Sequence, residues 1–334
     1  MSEIPKISIG ITTYNRTEFL REAIASVLNQ SFHDFEIIVS NDYLAVPVTW
    51  EILKITEDSR VRLVNQMINL GELKNMNFLL QAARGEWFMW LADDDLIHPE
   101  FLSKAIEVIR GASSIKMAAV YSNYMAAADP LGVFPEYVKQ GKIKYFNKLE
   151  FIEEYSSRNV PLVGTYGLMR TAMLREIGGI IPLGNSFSPY SDNLIPLMLV
   201  KLGDIAWLDE KFIFLRTHSE SLSCKSTDVS AFTSAEDDFL IYFNHILTSV
   251  EFGINSEQIR SKMITWFAHN ELAVILRDAE LTLWQKLSKF MRYQLKHHLS
   301  RLPPKYKVLH LAFVVSLLIR ELLLNLRLRF RCVV

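Results

Sequence analysis

An α/β fold, with a mostly parallel sheet flanked by helices and a helical C-terminal extension, is the class that three observations predict. Apolar runs of strand length alternate with segments of helical periodicity from Ile7 to Ser122. Several of those runs end in polar or acidic residues rather than in a hairpin turn. After Thr227 the strand pattern stops and helical periodicity continues almost to the end. Strict alternation of strand and helix calls for parallel strands joined by crossover helices.

The elements follow in order. Ile7–Thr12 alternates apolar and small residues and reads as a buried strand. Thr17 stands where it can cap the next helix, with Glu18 in the first turn, and Phe19, Leu20, Ala23, Ile24, Val27 and Leu28 recur at helical spacing. Phe35–Ser40 is a second strand, Trp50–Ile55 a short helix, Val61–Val64 a third strand and Lys74–Ala83 a second full helix. Trp87–Leu91 is apolar throughout, as a strand covered on both faces must be. Pro99 opens a helix over Glu100–Arg110, and Met117–Ser122 makes a fifth strand. From Leu149 to Leu222 the pattern loosens, punctuated by Gly164, Gly167, Gly178, Gly179 and Pro182. Helices are expected over 231–252, 257–277 and 283–299. This divides the chain into an α/β domain over 1–225, a helical subdomain over 226–300 and a tail over 301–334.

Of the 334 residues half are apolar and 22% charged, a globular composition that excludes a disordered or collagenous chain. The net charge of −1 conceals a polarity, because eleven basic residues and one acid follow residue 285. A basic, apolar tail therefore hangs on an acidic body. The tail lacks interleaved stacking aromatics, which argues against nucleic acid as a partner. Two cysteines make no disulfide framework and no zinc motif. No run of 18 apolar residues and no signal-like leader is present, so a cytoplasmic body is expected.

No Gly-x-Gly-x-x-Gly and no Walker loop follows the first strand, which removes dinucleotide and P-loop chemistry. Three consecutive aspartates, Asp93, Asp94 and Asp95, follow the fourth strand instead. Adjacent carboxylates repel by about a kcal/mol or more per close pair, and hard oxygen donors at a strand end suit Mg2+ or Mn2+ completed by phosphates. In open parallel sheets, ligands bind beyond the carboxyl ends of the strands, where these residues fall.

Ile9-Gly-Ile-Thr-Thr-Tyr-Asn-Arg16, Ala25-Ser-Val-Leu-Asn-Gln-Ser-Phe32 and Phe35-Glu-Ile-Ile-Val-Ser-Asn-Asp42 resemble, in that order, the opening of family 2 glycosyltransferases. Trp87-Phe-Met-Trp-Leu-Ala-Asp-Asp-Asp95 is similar to that family's strand and DxD motif. The resemblance covers roughly residues 5–225 and preserves motif order and spacing. It implies a GT-A fold, a nucleotide-diphosphate sugar as donor, an inverting transfer and Mg2+ or Mn2+ as cofactor.

Carried over by position, the resemblance places Thr13, Tyr14 and Arg16 at the nucleotide, with Tyr14 stacking on the base. Asp42 would accept from a uracil-like N–H, although Asn41-Asp-Tyr-Leu44 lacks one carboxylate and the glycine of the family pattern. Lys74 would meet phosphate, a solvated helix lysine being the alternative. Asp93 and Asp94 would bind the nucleotide, and Asp93, Asp95 and His218 the metal. Arg216, in Phe214-Leu-Arg-Thr-His-Ser-Glu-Ser-Leu-Ser223, would contact the diphosphate. Ser191-Asp-Asn193 stands where the family often reads Glu-Asp, which makes Asp192 the catalytic base, although an aspartate capping a helix would look the same. The acceptor would be a glycan or a lipid-linked sugar in cell-surface polysaccharide synthesis, read by residues 125–190. The runner-up is a non-catalytic nucleotide-sugar-binding protein of the same fold.

The tail speaks through composition alone. Val308–Phe330 resumes helical periodicity, with Ser316, Arg320, Arg327 and Arg331 on one side and Val315, Leu318, Ile319, Leu322 and Leu326 on the other. This is the pattern of a helix lying in the inner-leaflet interface of an anionic membrane. A helix packed on the helical subdomain is the alternative.

Overall fold

The structure, a computed structural model, describes residues 4–128, 141–184, 188–218, 228–249, 256–278 and 280–331, with side chains as far as 320. Its contacts divide the chain into two compact units, residues 1–182 with 190–219 and residues 183–189 with 220–334. The expected boundary at 225 and the segment 219–223 lie outside the described residues, as do the side chains of Leu322, Leu326, Arg327 and Arg331.

In the first unit β1 (Ile7–Thr13), β2 (Phe35–Asn41), β3 (Val61–Asn65) and β4 (Trp87–Ala92) run parallel, in the order β3-β2-β1-β4. Their period-2 alternation sorts two cores. Ile7, Ile9, Ile11, Ile37, Val39, Trp87, Met89 and Leu91 share one core with Leu20, Ala23, Ile24 and Val27 of α1 (Thr17–Leu28). On the other face α3 (Glu72–Ala82) settles directly on β1, because a Cβ at Gly10 would stand 2.9 Å from both Leu79 Cβ and Phe88 Cζ. The short α2 (Trp50–Leu53) is capped by Thr49, whose hydroxyl accepts from Ile52 N. The Thr17 cap does not form: Arg16 is the N-cap residue, with no side-chain cap, and Asn15 turns the chain in at φ 57°. Arg16 is drawn instead to the aspartate run described below.

Beyond β4 the sheet departs from a parallel reading. It continues as β8 (Leu168–Arg170), β6 (Met117–Ala127), β9 (Asp204–Arg216) and β5 (Leu96–Ile97), with β7 (Ile143–Phe146) also on β9. β8 is antiparallel to both β4 and β6, whereas β6 and β9 are parallel. Three residues of β8 are too few to show a period. In β9 the apolar pattern is cut by Asp209-Glu-Lys211, beside the register shifts that set β6 against it. The helices α4 (Phe101–Gly111), α5 (Lys148–Ser156), α6 (Thr171–Glu176) and α7 (Ser191–Leu199) complete the unit.

In the second unit α8 (Val229–Ser249), α9 (Ser256–Arg277) and α10 (Leu283–Tyr293) are followed by a π-helical turn (Gln294–His298) and by α11 (Pro304–Arg331). Within α11, His310, Val314 and Leu317 are buried, while Val308, Leu309, Val315 and Ile319 are exposed. Among the described residues no helix is long and apolar enough to cross a membrane.

A buried polar knot ties the amino ends of β1, β2 and β4. The Glu36 carboxylate accepts from Ser8 Oγ (2.6 Å), Arg84 N (2.9 Å) and Arg84 Nε (2.9 Å). Burial would raise its pKa, but these donors outweigh burial and hold it below the usual carboxylate range. Glu36→Gln should therefore lower unfolding free energy by about 1–3 kcal/mol at pH 7. Because the folded-state pKa is depressed, the stabilisation is full above the unfolded value and is lost as pH falls through the folded one. Urea titrations of both proteins should accordingly converge toward pH 3.

Candidate active site

Three strand ends build the site: the ends of β1 and β4 and the segment just after β9. Asp93, Asp94 and Asp95 are each buried where β4 stops. Their carboxylates take different partners. Asp93 Oδ2 accepts from Thr13 Oγ1 at 2.7 Å and Asp93 Oδ1 from Arg16 Nη1 at 3.2 Å. Asp94 Oδ2 accepts from the same Arg16 Nη1 at 2.9 Å and lies 2.9 Å from His218 Nε2. Asp95 turns inward, accepting from the Tyr166 hydroxyl and, at 2.8 Å, from Arg216 N.

Electrostatics make this run short of positive charge. Burial pushes Asp93 up to about 6, against the Thr13 hydrogen bond and with help from the Asp94 charge. Burial, then the Asp94 charge, pushes Asp95 up to about 7. A cation brought to the run lowers that cost.

The expected metal set of Asp93, Asp95 and His218 is not what the geometry groups. The chain turns after Ala92, so Asp93 and Asp94 share Arg16 while Asp95 goes to Tyr166, and Asp94 is the carboxylate that shares its oxygen with His218. Asp94 and His218, with Asp93 adjacent, form a carboxylate–imidazole donor set that fits Mg2+ or Mn2+ completed by phosphate oxygens. Arg216 is likewise displaced from its expected place. Its guanidinium pairs with Glu22, donates to the Asp94 carbonyl at 3.0 Å and lies 4.4 Å above the Phe19 ring, leaving the side chain 8% exposed. It braces the aspartate run from below.

The remaining predicted residues divide into two groups. Tyr14 is 55% exposed, its ring in a T-shaped contact with Tyr43 at 5.1 Å. Thr13 is buried on Asp93. Asp42 is buried too, and its oxygens accept from Leu70 N (2.7 Å) and Gly71 N (2.8 Å). Its observed work is to clamp the turn that starts α3, where Gly71 at φ 76° needs no Cβ. Lys74 lies exposed in the first turn of α3.

Asp192 stands in the first turn of α7, behind Tyr190 at φ 71°. Burial raises its pKa, as a general base requires. Asn193 beside it donates to Tyr155 Oη at 3.3 Å. Glu72, which the sequence reading overlooked, connects the two halves. Its pKa is raised by the desolvating atoms around an exposed side chain and then by the charge of Asp192, with Arg16 opposing and Asp94 adding. Asp192, Arg16 and Asp94 are thus the charges that act on Glu72.

Tyr166 and Gly164 were missed as well. Tyr166 Oη accepts from Ala92 N at 3.2 Å while donating to Asp95. The clue was a tyrosine inside Gly164-Thr-Tyr-Gly167, which nothing in its periodicity distinguishes.

An α/β sheet, nine-stranded among the described residues, with an aspartate run at its switch point and flanking helices is the GT-A fold of glycosyltransferases. Residues 8–177 match the model of glycosyl transferase family 2, and the chain belongs to that family. It is 24% identical to an uncharacterized glycosyltransferase of Haemophilus influenzae over 311 residues, 90% of this chain and 92% of that protein. Over 122 residues, 36% of this chain and 38% of the other, it is 34% identical to a GalNAc(5)-diNAcBac-PP-undecaprenol beta-1,3-glucosyltransferase of Campylobacter jejuni. Among solved structures, S. aureus TarS 1-349 in complex with UDP aligns with a TM-score of 0.55 at 17% identity, over 91% of this chain and 88% of that one. The resemblance of the motifs to this family is thereby upheld, and the protein is a glycosyltransferase.

Gly164 sets how closely α7 approaches the sheet, because a Cβ there would lie 1.8 Å from the Asp192 carbonyl oxygen. Gly164→Ala should push the start of α7 outward, costing about 1–3 kcal/mol of stability. It should lower turnover while leaving nucleotide affinity near wild type, read as nucleoside-diphosphate release alongside calorimetric titration. Unchanged kinetics would remove Asp192 from the reacting geometry.

Proposed function

We propose that this glycosyltransferase moves a sugar from a nucleoside-diphosphate donor to a hydroxyl of a glycan or lipid-linked acceptor, with inversion at the anomeric carbon. The observation that carries this reading is the cluster of buried Asp93 and Asp94 with Arg16 and His218 at the strand ends. Tyr14 offers a ring for a nucleobase, and Asp42 shapes the neighbouring turn. A uridine donor is favoured by likeness of fold to TarS, whose solved complexes hold UDP and UDP-GlcNAc. The Campylobacter relative's name gives a lipid-linked acceptor, which supports the same class here.

The chemistry follows from charge. Asp192 takes the proton of the acceptor hydroxyl as its oxygen attacks the anomeric carbon. Burial raises the basicity of that carboxylate and so helps the transfer. Arg16, already within 3.2 Å of Asp93 and 2.9 Å of Asp94, is placed to neutralise a departing diphosphate. A divalent cation, when held by Asp94 and His218 with Asp93 beside them, supplies further positive charge to that leaving group. Attack opposite the leaving group makes inversion the outcome of one displacement.

Asp192→Asn should lower turnover by about a hundredfold or more while leaving UDP affinity within about threefold of wild type. Retention of more than about a tenth of the rate would refute the base assignment. Calorimetric titration with UDP, GDP, TDP and CDP in Mn2+ identifies the base. Binding without turnover against any sugar donor would favour the non-catalytic alternative.

We further propose that α11 seats the protein on an anionic inner-leaflet surface, with the body cytoplasmic. Buried His310, Val314 and Leu317 take one side of the helix, so it packs within its own unit. Val308, Leu309, Val315 and Ile319 remain exposed, an apolar strip in a segment rich in arginine and lysine. Replacing Val308, Val315 and Ile319 by Glu alters only that exposed strip. Wild type should float with anionic liposomes and the triple variant should not; equal flotation of the two would overturn the assignment.

A further inference from the structure

The second unit buries a group of ligand-type side chains that the transfer reaction does not use. Glu236 on α8, Glu271 on α9 and His298 in the π-helical turn are each 0% exposed. One donor atom from each lies within 4.8 Å of the other two. His298 Nε2 is 2.9 Å from Glu236 Oε2 and 3.5 Å from Glu271 Oε2. Donors bound at about 2.1 Å around a tetrahedral zinc stand about 3.4 Å apart, so the 3.5 Å pair already has the spacing of ligands sharing one ion and the 2.9 Å pair must open by about 0.5 Å to admit it.

The surrounding residues are arranged as partners of a ligand set. His298 Nδ1 is 3.0 Å from Gln294 Oε1, and a carbonyl oxygen there requires Nδ1–H. That leaves Nε2 facing two carboxylates, the orientation a metal-bound imidazole takes when its other nitrogen donates outward. Gln294 Nε2 donates to Glu271 Oε2 at 2.9 Å, and His310 Nε2 lies 2.9 Å from Gln294 Oε1. Arg301 reaches Glu236 Oε2 at 3.2 Å and pairs with Asp237. Thr233 Oγ1 is 3.5 Å from Glu271 Oε1. One atom has no donor at all: Glu236 Oε1 is buried with no hydrogen-bond partner. π-Helical turns are rare and concentrate at functional sites, and this one delivers both Gln294 and His298.

A proton between Nε2 and the carboxylates bridges 2.9 Å to Glu236 well and 3.5 Å to Glu271 poorly, and it leaves Glu236 Oε1 without a donor.

We propose that Glu236, Glu271 and His298 bind one structural divalent transition-metal ion, zinc by its donor set, which staples α8, α9 and the π-helical turn together. The site is separate from the aspartate run and independent of the transfer reaction.

The test uses the full chain, with zinc alone as the probe. Elemental analysis after dialysis should find about one equivalent per chain in wild type and in Asp94→Asn, and little in Glu271→Gln or His298→Gln. Stripping wild type with dipicolinate should lower its melting temperature by about 5 °C or more, and added Zn2+ should restore it. Metal that disappears with Asp94→Asn but persists in His298→Gln overturns the proposal. So does a metal-free wild type whose melting temperature ignores both chelator and zinc, and that measurement decides the matter even if the variants fail to fold.

Discussion

Three carboxylates in a row at the end of a buried strand are the constraint around which the first unit is organised. No fold gains by burying Asp93, Asp94 and Asp95 for their own sake, since desolvation and mutual repulsion both oppose it. The structure offsets the cost with donors from separate places: Thr13 from β1, Arg16 before α1, Tyr166 before β8, Arg216 at the end of β9 and His218 beyond it. Each donor also fixes the element that carries it. The antiparallel strand β8 and the long β9, which break the parallel order of the sheet, are the elements that bring Tyr166 and Arg216 to Asp95.

Close backbone approach is the second condition. Gly10 lets α3 settle on β1, and Gly164 lets the start of α7 come against the sheet side of the cleft. Glu72 at the head of α3 and Asp192 at the head of α7 each owe their place to a missing Cβ elsewhere. The Asp42 clamp on the turn at Leu70 and Gly71 completes the arrangement, holding the α3 entry with two amide donors to one carboxylate. Residues that never touch a ligand thus decide where the chemical groups stand.

The second unit solves a related problem with other means. Its buried acids, Glu236 and Glu271, come from two helices rather than from one strand end, and a histidine in a π-helical turn faces both. Gln294 links His298, His310 and Glu271, so three segments of the unit meet at one amide. Such networks specify a unique packing only when every member is satisfied.

Period and order along the chain determined much of this protein. The parallel half of the sheet, the crossover helices, the aspartate run and the family all follow from local pattern, because strand and helix periods and a three-residue motif are properties of neighbouring residues. The helix that begins at Ser191 and carries Asp192 in its first turn was legible for the same reason. Tertiary structure alone decided the partners. It turned Asp95 inward and made Asp94 the companion of His218, it took Arg216 out of the cleft to Glu22, and it gave Asp42 a clamp to hold. It also supplied Glu72, Tyr166 and the Glu236–Glu271–His298 group, none of which stands out in sequence. Those residues are 70 or more positions from some of their partners, or within range of several acids at once. Which carboxylate meets which donor is fixed by strand order, β-bulges and close backbone contacts, and these exist only once the chain is folded.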